Sequence, residues 1–167
     1  SGFQNLDVGN VLSWSVTGVP EGRSCYYRVR AYNGGGTSTN SATITLTTLP
    51  AAPVANAASG VVSSGFTANW NTVTGATGYR LDVSTNIAFS NFVNGYQHLD
   101  AGNALSRGVI ELTAGATHYY RVRAYNNGGA GASSGTITVI LPATTSNACA
   151  VTLNPAFELG FPVAGGG

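Results

Sequence analysis

The chain has 167 residues, a net charge of +1 and only 8% charged residues, against roughly 25% in an ordinary soluble domain. It has no basic run and no apolar run near the roughly 18 residues of a membrane span, so neither a nucleic-acid surface nor a membrane-spanning helix is expected. Lysine is absent, which excludes Schiff-base chemistry, a P-loop and Lys–Asn cross-links. Plentiful Val, Ile, Tyr and Phe set among Gly, Thr, Ser and Asn point to short strands and turns rather than disorder. With no leader sequence and no initiating Met, the chain is expected to be processed or cut from something longer.

The first stretches in chain order are "GFQNLDVGNVLSWSV" from Gly2, "SCYYRVRAYNGGG" from Ser24 and "SATIT" from Ser41. Each has a near-copy 93 residues later: "GYQHLDAGNALSRGV" from Gly95, "THYYRVRAYNNGG" from Thr117 and "SGTIT" from Ser134. Near Leu49 and Leu141 the alignment slips by one residue before Pro50 and Pro142. A period close to 100 residues is the size of one β-sandwich module. Residues 1–49 therefore match the second half of a module (strands C′-E-F-G), and residues 50–142 contain a complete one.

The complete module breaks into seven short runs: "VANAA", "GFTANWN", "GYRLDVS", "FSNFVNGYQ", "ALSRGVIEL", "HYYRVRAY" and "GTITVIL". Phe66, Ala68 and Trp70 alternate in the second. In the third, Tyr79, Leu81 and Val83 alternate against Arg80 and Asp82. In the sixth, Tyr120, Val122 and Ala124 share one face, and Tyr119, Arg121, Arg123 and Tyr125 share the other. Period-2 alternation means one face buried and one wetted. Seven strands at this spacing predict an all-β, immunoglobulin-like antiparallel sandwich.

The run "APVANAASGVVSSGFTANWNTVTGATGYRLDVS", continued by "GVIELTAGATHYYRVRAYNNGGAGASSGTITV", resembles a fibronectin type III domain of the bacterial secreted or cell-surface type. Trp70, Tyr79 and Leu112 carry the resemblance, which covers all but roughly the last 25 residues. It implies two sheets, A-B-E and C-C′-F-G. The family's tyrosine at the E–F corner, six residues after Leu112, is replaced by His118 here and by Cys25 in the first copy. His118 is able to supply the same hydrogen bond, whereas Cys25 is poorly suited to it.

Residues 143–167 form a tail, either a donor strand or the start of another domain. "FELGF" alternates Phe157, Leu159 and Phe161 around Glu158, imitating strand C. Three sources are open for the strands that the half module lacks: upstream polypeptide, none at all if the half module is disordered, or the tail. Under the last, Phe157, Glu158, Leu159 and Phe161 of one subunit meet Arg28 and Arg30 of the next, and Cys25 and Cys149 form a disulfide. Such head-to-tail donation would build a filament.

No arrangement of the two histidines, His98 and His118, or of the six acids suggests catalysis, a metal site or a cofactor. Asp7 and Asp100 occupy equivalent "LDxGN" turns, best read as Asx turns. The face Tyr119, Arg121, Arg123, Tyr125 is open to two readings, a glycan or protein surface or an internal pairing with Asp82. The chain is expected to be a non-catalytic segment of an extracellular bacterial surface protein whose partners are adjacent repeats, other copies, a glycan or a cell-surface protein. The alternative is a spacer or glycan-binding module of a secreted hydrolase.

Overall fold

The computed structural model describes residues 3–144, and every described element is a strand. The strands of the half module are β1 (Ser24–Tyr27), β2 (Tyr32–Asn33), β3 (Gly36–Thr37) and β4 (Ile44–Thr47). Those of the complete module are β5 (Ala55–Val62), β6 (Gly65–Trp70), β7 (Gly78–Ser84), β8 (Leu99–Asp100), β9 (Ser106–Val109), β10 (Thr117–Asn126), β11 (Gly129–Ser133) and β12 (Ile137–Ile140).

Two antiparallel sheets make the complete module. One runs β5-β6-β9; the other runs β8-β7-β10, with β11 and β12 both on the far edge of β10. These are the expected A-B-E and C-C′-F-G sheets, with the last strand divided between β11 and β12. The fourth predicted run is mostly loop: apart from the Ser84–Phe92 bridge, its pairing is taken over by Leu99–Asp100. The inner faces interdigitate as the alternation predicts. Ala68, Leu81, Val83, Val109, Tyr120, Val122 and Ala124 are fully buried. The Tyr120 hydroxyl crosses the core and donates to the carbonyl of Asn56, while the Asn69 amide donates to it at 3.3 Å. One F-strand side chain thus satisfies groups on both β5 and β6.

The half module repeats the F–G ribbon in the same register. Thr117 pairs with Ile140 and Tyr120 with Ile137; 93 residues earlier, Ser24 pairs with Thr47 and Tyr27 with Ile44. Side-chain bonds repeat as well. Val122 donates to Ser134 Oγ at 3.0 Å, and Val29 donates to Ser41 Oγ at 3.0 Å. The Leu141 amide donates to Ala116 and the Thr48 amide to Arg23, so the 93-residue offset persists in the backbone beyond the point where the side chains slip.

What differs is cover. Tyr120, Val122 and Val109 are 0% exposed, whereas their counterparts Tyr27, Val29 and Val16 are 51%, 59% and 52% exposed. Trp14, Ile44 and Leu46 lie open too. Among the described residues no A, B or C strand faces this ribbon, and Ser13–Val16, the counterpart of β9, forms no strand without a B strand to pair with.

The two modules meet backbone to backbone. A Cβ on Gly75 would lie 1.9 Å from the Gly22 carbonyl oxygen, and one on Gly128 would lie 2.2 Å from that of Thr47. The Asn126 side-chain amide donates to Thr48 at 2.9 Å and to Gly75 at 3.2 Å, tying the F-strand end of one module to the G-strand end of the other.

The contrast in cover sets an expectation. Leu81→Ala should destabilise the complete module by about 2–5 kcal/mol. Leu46→Ala, at a side chain 42% exposed, should change stability by less than about 0.5 kcal/mol. Guanidinium unfolding followed by circular dichroism checks both.

Candidate functional site

Two surfaces deserve the name of site: the outer face of β10, and its counterpart along residues 26–32. On β10 the outer side chains turn inward on one another. Asp82, placed by β7 directly opposite Arg121, is 1% exposed, although alternation alone puts it on the wetted face. Arg121 Nε donates to its Oδ2 at 3.0 Å, Arg123 Nη2 to the same oxygen at 3.1 Å, and the His98 amide to Oδ1 at 2.7 Å. A buried carboxylate with these donors is compensated, where an unpaired one would be costly.

The neighbours complete the lid. The Arg121 guanidinium lies over the Phe89 ring at 4.1 Å, and that of Arg80 over the Tyr125 ring at 5.4 Å. The Tyr125 hydroxyl donates to both Asp100 oxygens, at 3.0 and 3.1 Å. Three of the four residues of the Tyr119, Arg121, Arg123, Tyr125 face are therefore engaged within the module. Asp100 also accepts the Gly102 amide at 2.8 Å, forming the expected Asx turn. That bond first, then Tyr125, holds its pKa below the ordinary aspartate value. Asp7 repeats both contacts, with Gly9 at 2.8 Å and Tyr32 at 3.0 Å, and its pKa is lowered for the same reasons.

In the half module Arg30 Nη2 donates to Asn5 Oδ1. Among the described residues the arginine–carboxylate ion pairs are those of Arg121 and Arg123 with Asp82, and none involves Arg28 or Arg30. Cys25 is half-buried, its sulfur 4.0 Å from the Arg23 carbonyl oxygen. Cys149, Phe157, Glu158, Leu159 and Phe161 lie outside the described residues, so the tail half of the donation idea has no geometry here.

The E–F corner departs from expectation. His118 is 2% exposed and its Nδ1 has no hydrogen-bond partner among the described residues. Burial pushes the His118 pKa below the ordinary value, opposed in part by the backbone of Ala116. Sequence reading also missed Asn126. Its recurrence at Asn33, one residue beyond the alternating tyrosines and arginines, was the available signal.

No family model matches the chain, and no curated protein matches it. Among solved structures, the fibronectin type III domain of human fibronectin type III domain containing protein 3 matches with a TM-score of 0.50 at 18% identity. The match covers 61% of this chain and 94% of that one. The complete module has the fibronectin type III fold. The FN1-FN3 domains of chicken CNTN1 match at 21% identity and a TM-score of 0.48, over 75% of this chain and 45% of that chain. A fibronectin type III domain from human KIAA0970 protein matches at 14% identity and 0.47, over 68% and 85%. This chain thus spans less than half the length of the chicken structure.

Two measurements follow. Asp82→Ala should cost about 3 kcal/mol, because it leaves Arg121 and Arg123 without their carboxylate; urea unfolding reads the loss. The His118 ring titrates near 6.5 in the unfolded chain and lower in the folded one. Its contribution to stability is therefore complete above pH 6.5 and is lost as pH falls from there toward the folded value. Unfolding midpoints measured between pH 7.5 and 5 should drop for the parent chain and stay flatter for His118→Phe.

Proposed function

We propose that this chain is a non-catalytic structural and interaction segment of an extracellular bacterial surface protein, built from fibronectin type III modules in series. Domains of this fold commonly serve structural or interaction roles. The observation that carries the reading is the pairing of one covered module with one uncovered copy. The uncovered ribbon leaves Tyr27, Val29, Ile44 and Leu46 open. About half exposed, each forfeits roughly half of the 1.5–3 kcal/mol that full burial contributes, and together that is a sizeable share of the stability of a small domain. The ribbon is the part that takes up other polypeptide, and the backbone contact at Gly22, Gly75 and Gly128 carries its position into the next module.

Where the added strands come from another copy of the chain, the contact is head to tail and does not close, so the product is a filament. The tail residues Phe157, Glu158, Leu159 and Phe161 are the donor in this version, with Cys25 and Cys149 as the covalent lock. The second reading, a spacer or glycan-binding module of a secreted hydrolase through Tyr119, Arg121, Arg123 and Tyr125, is weaker, because Asp82 and Asp100 already hold the two guanidinium groups and the Tyr125 hydroxyl.

Electron microscopy of native material, paired with non-reducing mass analysis, tests the proposal. Regular fibres with a Cys25–Cys149 intermolecular link are expected for donation by the tail. A monomeric chain with free thiols at high concentration would remove the filament version.

A further inference from the structure

The uncovered ribbon specifies the chemistry of the strand that completes it, and this inference rests on the half-module reading. In the complete module three donors converge on Asp82: the side chains of Arg121 and Arg123 and the backbone N–H of His98. Ninety-three residues earlier stand Arg28, Arg30 and Asn5. The correspondence is geometric as well as sequential. Asn5 has a φ of 54° and His98 one of 53°, the same left-handed turn at the same place. Tyr32 holds Asp7 as Tyr125 holds Asp100, at 3.0 Å in each case. The Asn5 segment is thereby fixed beside the ribbon, and Arg30 already reaches Asn5.

We propose that Arg28, Arg30 and the Asn5 amide form a carboxylate clamp, unfilled among the described residues, that recognises an incoming strand of the C type and sets its register. The occupant is a strand like Gly78–Ser84, with an acidic residue opposite Arg28 and apolar residues on either side of it. In β7 those flanking residues are Leu81 and Val83, opposite Val122 and Tyr120; on the open ribbon they face Val29 and Tyr27. Register matters because a shift of one residue turns every apolar side chain to the wrong face. An acid held by three donors tolerates no such shift, because it would be left buried and unpaired. The strand comes with its A and B partners, since the face carrying Tyr27 and Leu46 needs a second sheet, as the face of Tyr120 and Val139 does.

The test is a full chain extended at its N-terminus by a second copy of residues 50–93. This restores the spacing between the added strand and the ribbon that the complete module has. Amide exchange of residues 26–32 is measured in the extended and unextended chains. Strong protection is expected on extension. Replacing the acid of the added copy, Asp82→Asn there, should speed exchange at residues 26–32 by about tenfold or more. Arg28→Gln should do the same in the extended chain, while both changes together add little further. If extension gives no protection, the half-module reading itself fails. If protection is equal with Asp and Asn, the half module stands and the clamp is wrong. A synthetic tail peptide of residues 154–163 that protects the unextended chain, and loses this on Glu158→Gln, would overturn the C-type strand as occupant.

Discussion

A sheet whose inner face is apolar has to be covered by a second sheet, and that constraint governs both halves of this chain. Tyr120 and Tyr27 are the same residue in the same register of the same ribbon, one sealed and one half open. Local sequence therefore suffices to form the F–G ribbon but not to bury it. Just as their counterparts at Ser134 and Asp100 form with an opposing sheet, the Ser41 side-chain bond and the Asx turn at Asp7 form without one. The core does not, because it is made by contacts between strands far apart in sequence.

The outer face of β10 shows a second layer of organisation. A carboxylate on β7 gathers two arginines and a loop amide, and the aromatic rings of Phe89 and Tyr125 lie against Arg121 and Arg80. Charge is scarce in this chain, and much of it is concentrated here. The cluster joins β7, β10 and the loop before β8, so it fixes how those three elements sit together. In the half module Arg28, Arg30 and Asn5 stand where those donors stand, and among the described residues no carboxylate pairs with Arg28 or Arg30.

Most of the fold was legible because its signals are periodic. The alternation of Phe66, Ala68 and Trp70, and of Tyr120, Val122 and Ala124, places each on the core side, where the structure has them. The 93-residue repeat predicts that residues 24–47 pair as residues 117–140 do, and the two strand pairs share one register. The burial of Asp82 was not legible from period alone, since alternation sends it outward; it needs the strand neighbour Arg121, which only sheet order supplies. The fourth run was misread as strand because Phe89, Phe92 and Val93 are apolar, yet Phe89 is drawn under Arg121 instead of into a ladder. His118 is able by position to supply the tyrosine's corner bond, and among the described residues its buried Nδ1 has no hydrogen-bond partner.

The path of the chain through the complete module has a mechanical consequence. The polypeptide enters beside Asn126, at one end of β10, and leaves by β12, whose last residue Ile140 pairs with Thr117 at the other end. Ten residues of strand separate the two points, about 33 Å. Tension applied along the chain would pull β12 lengthwise past β10, straining their rungs simultaneously instead of opening them one after another.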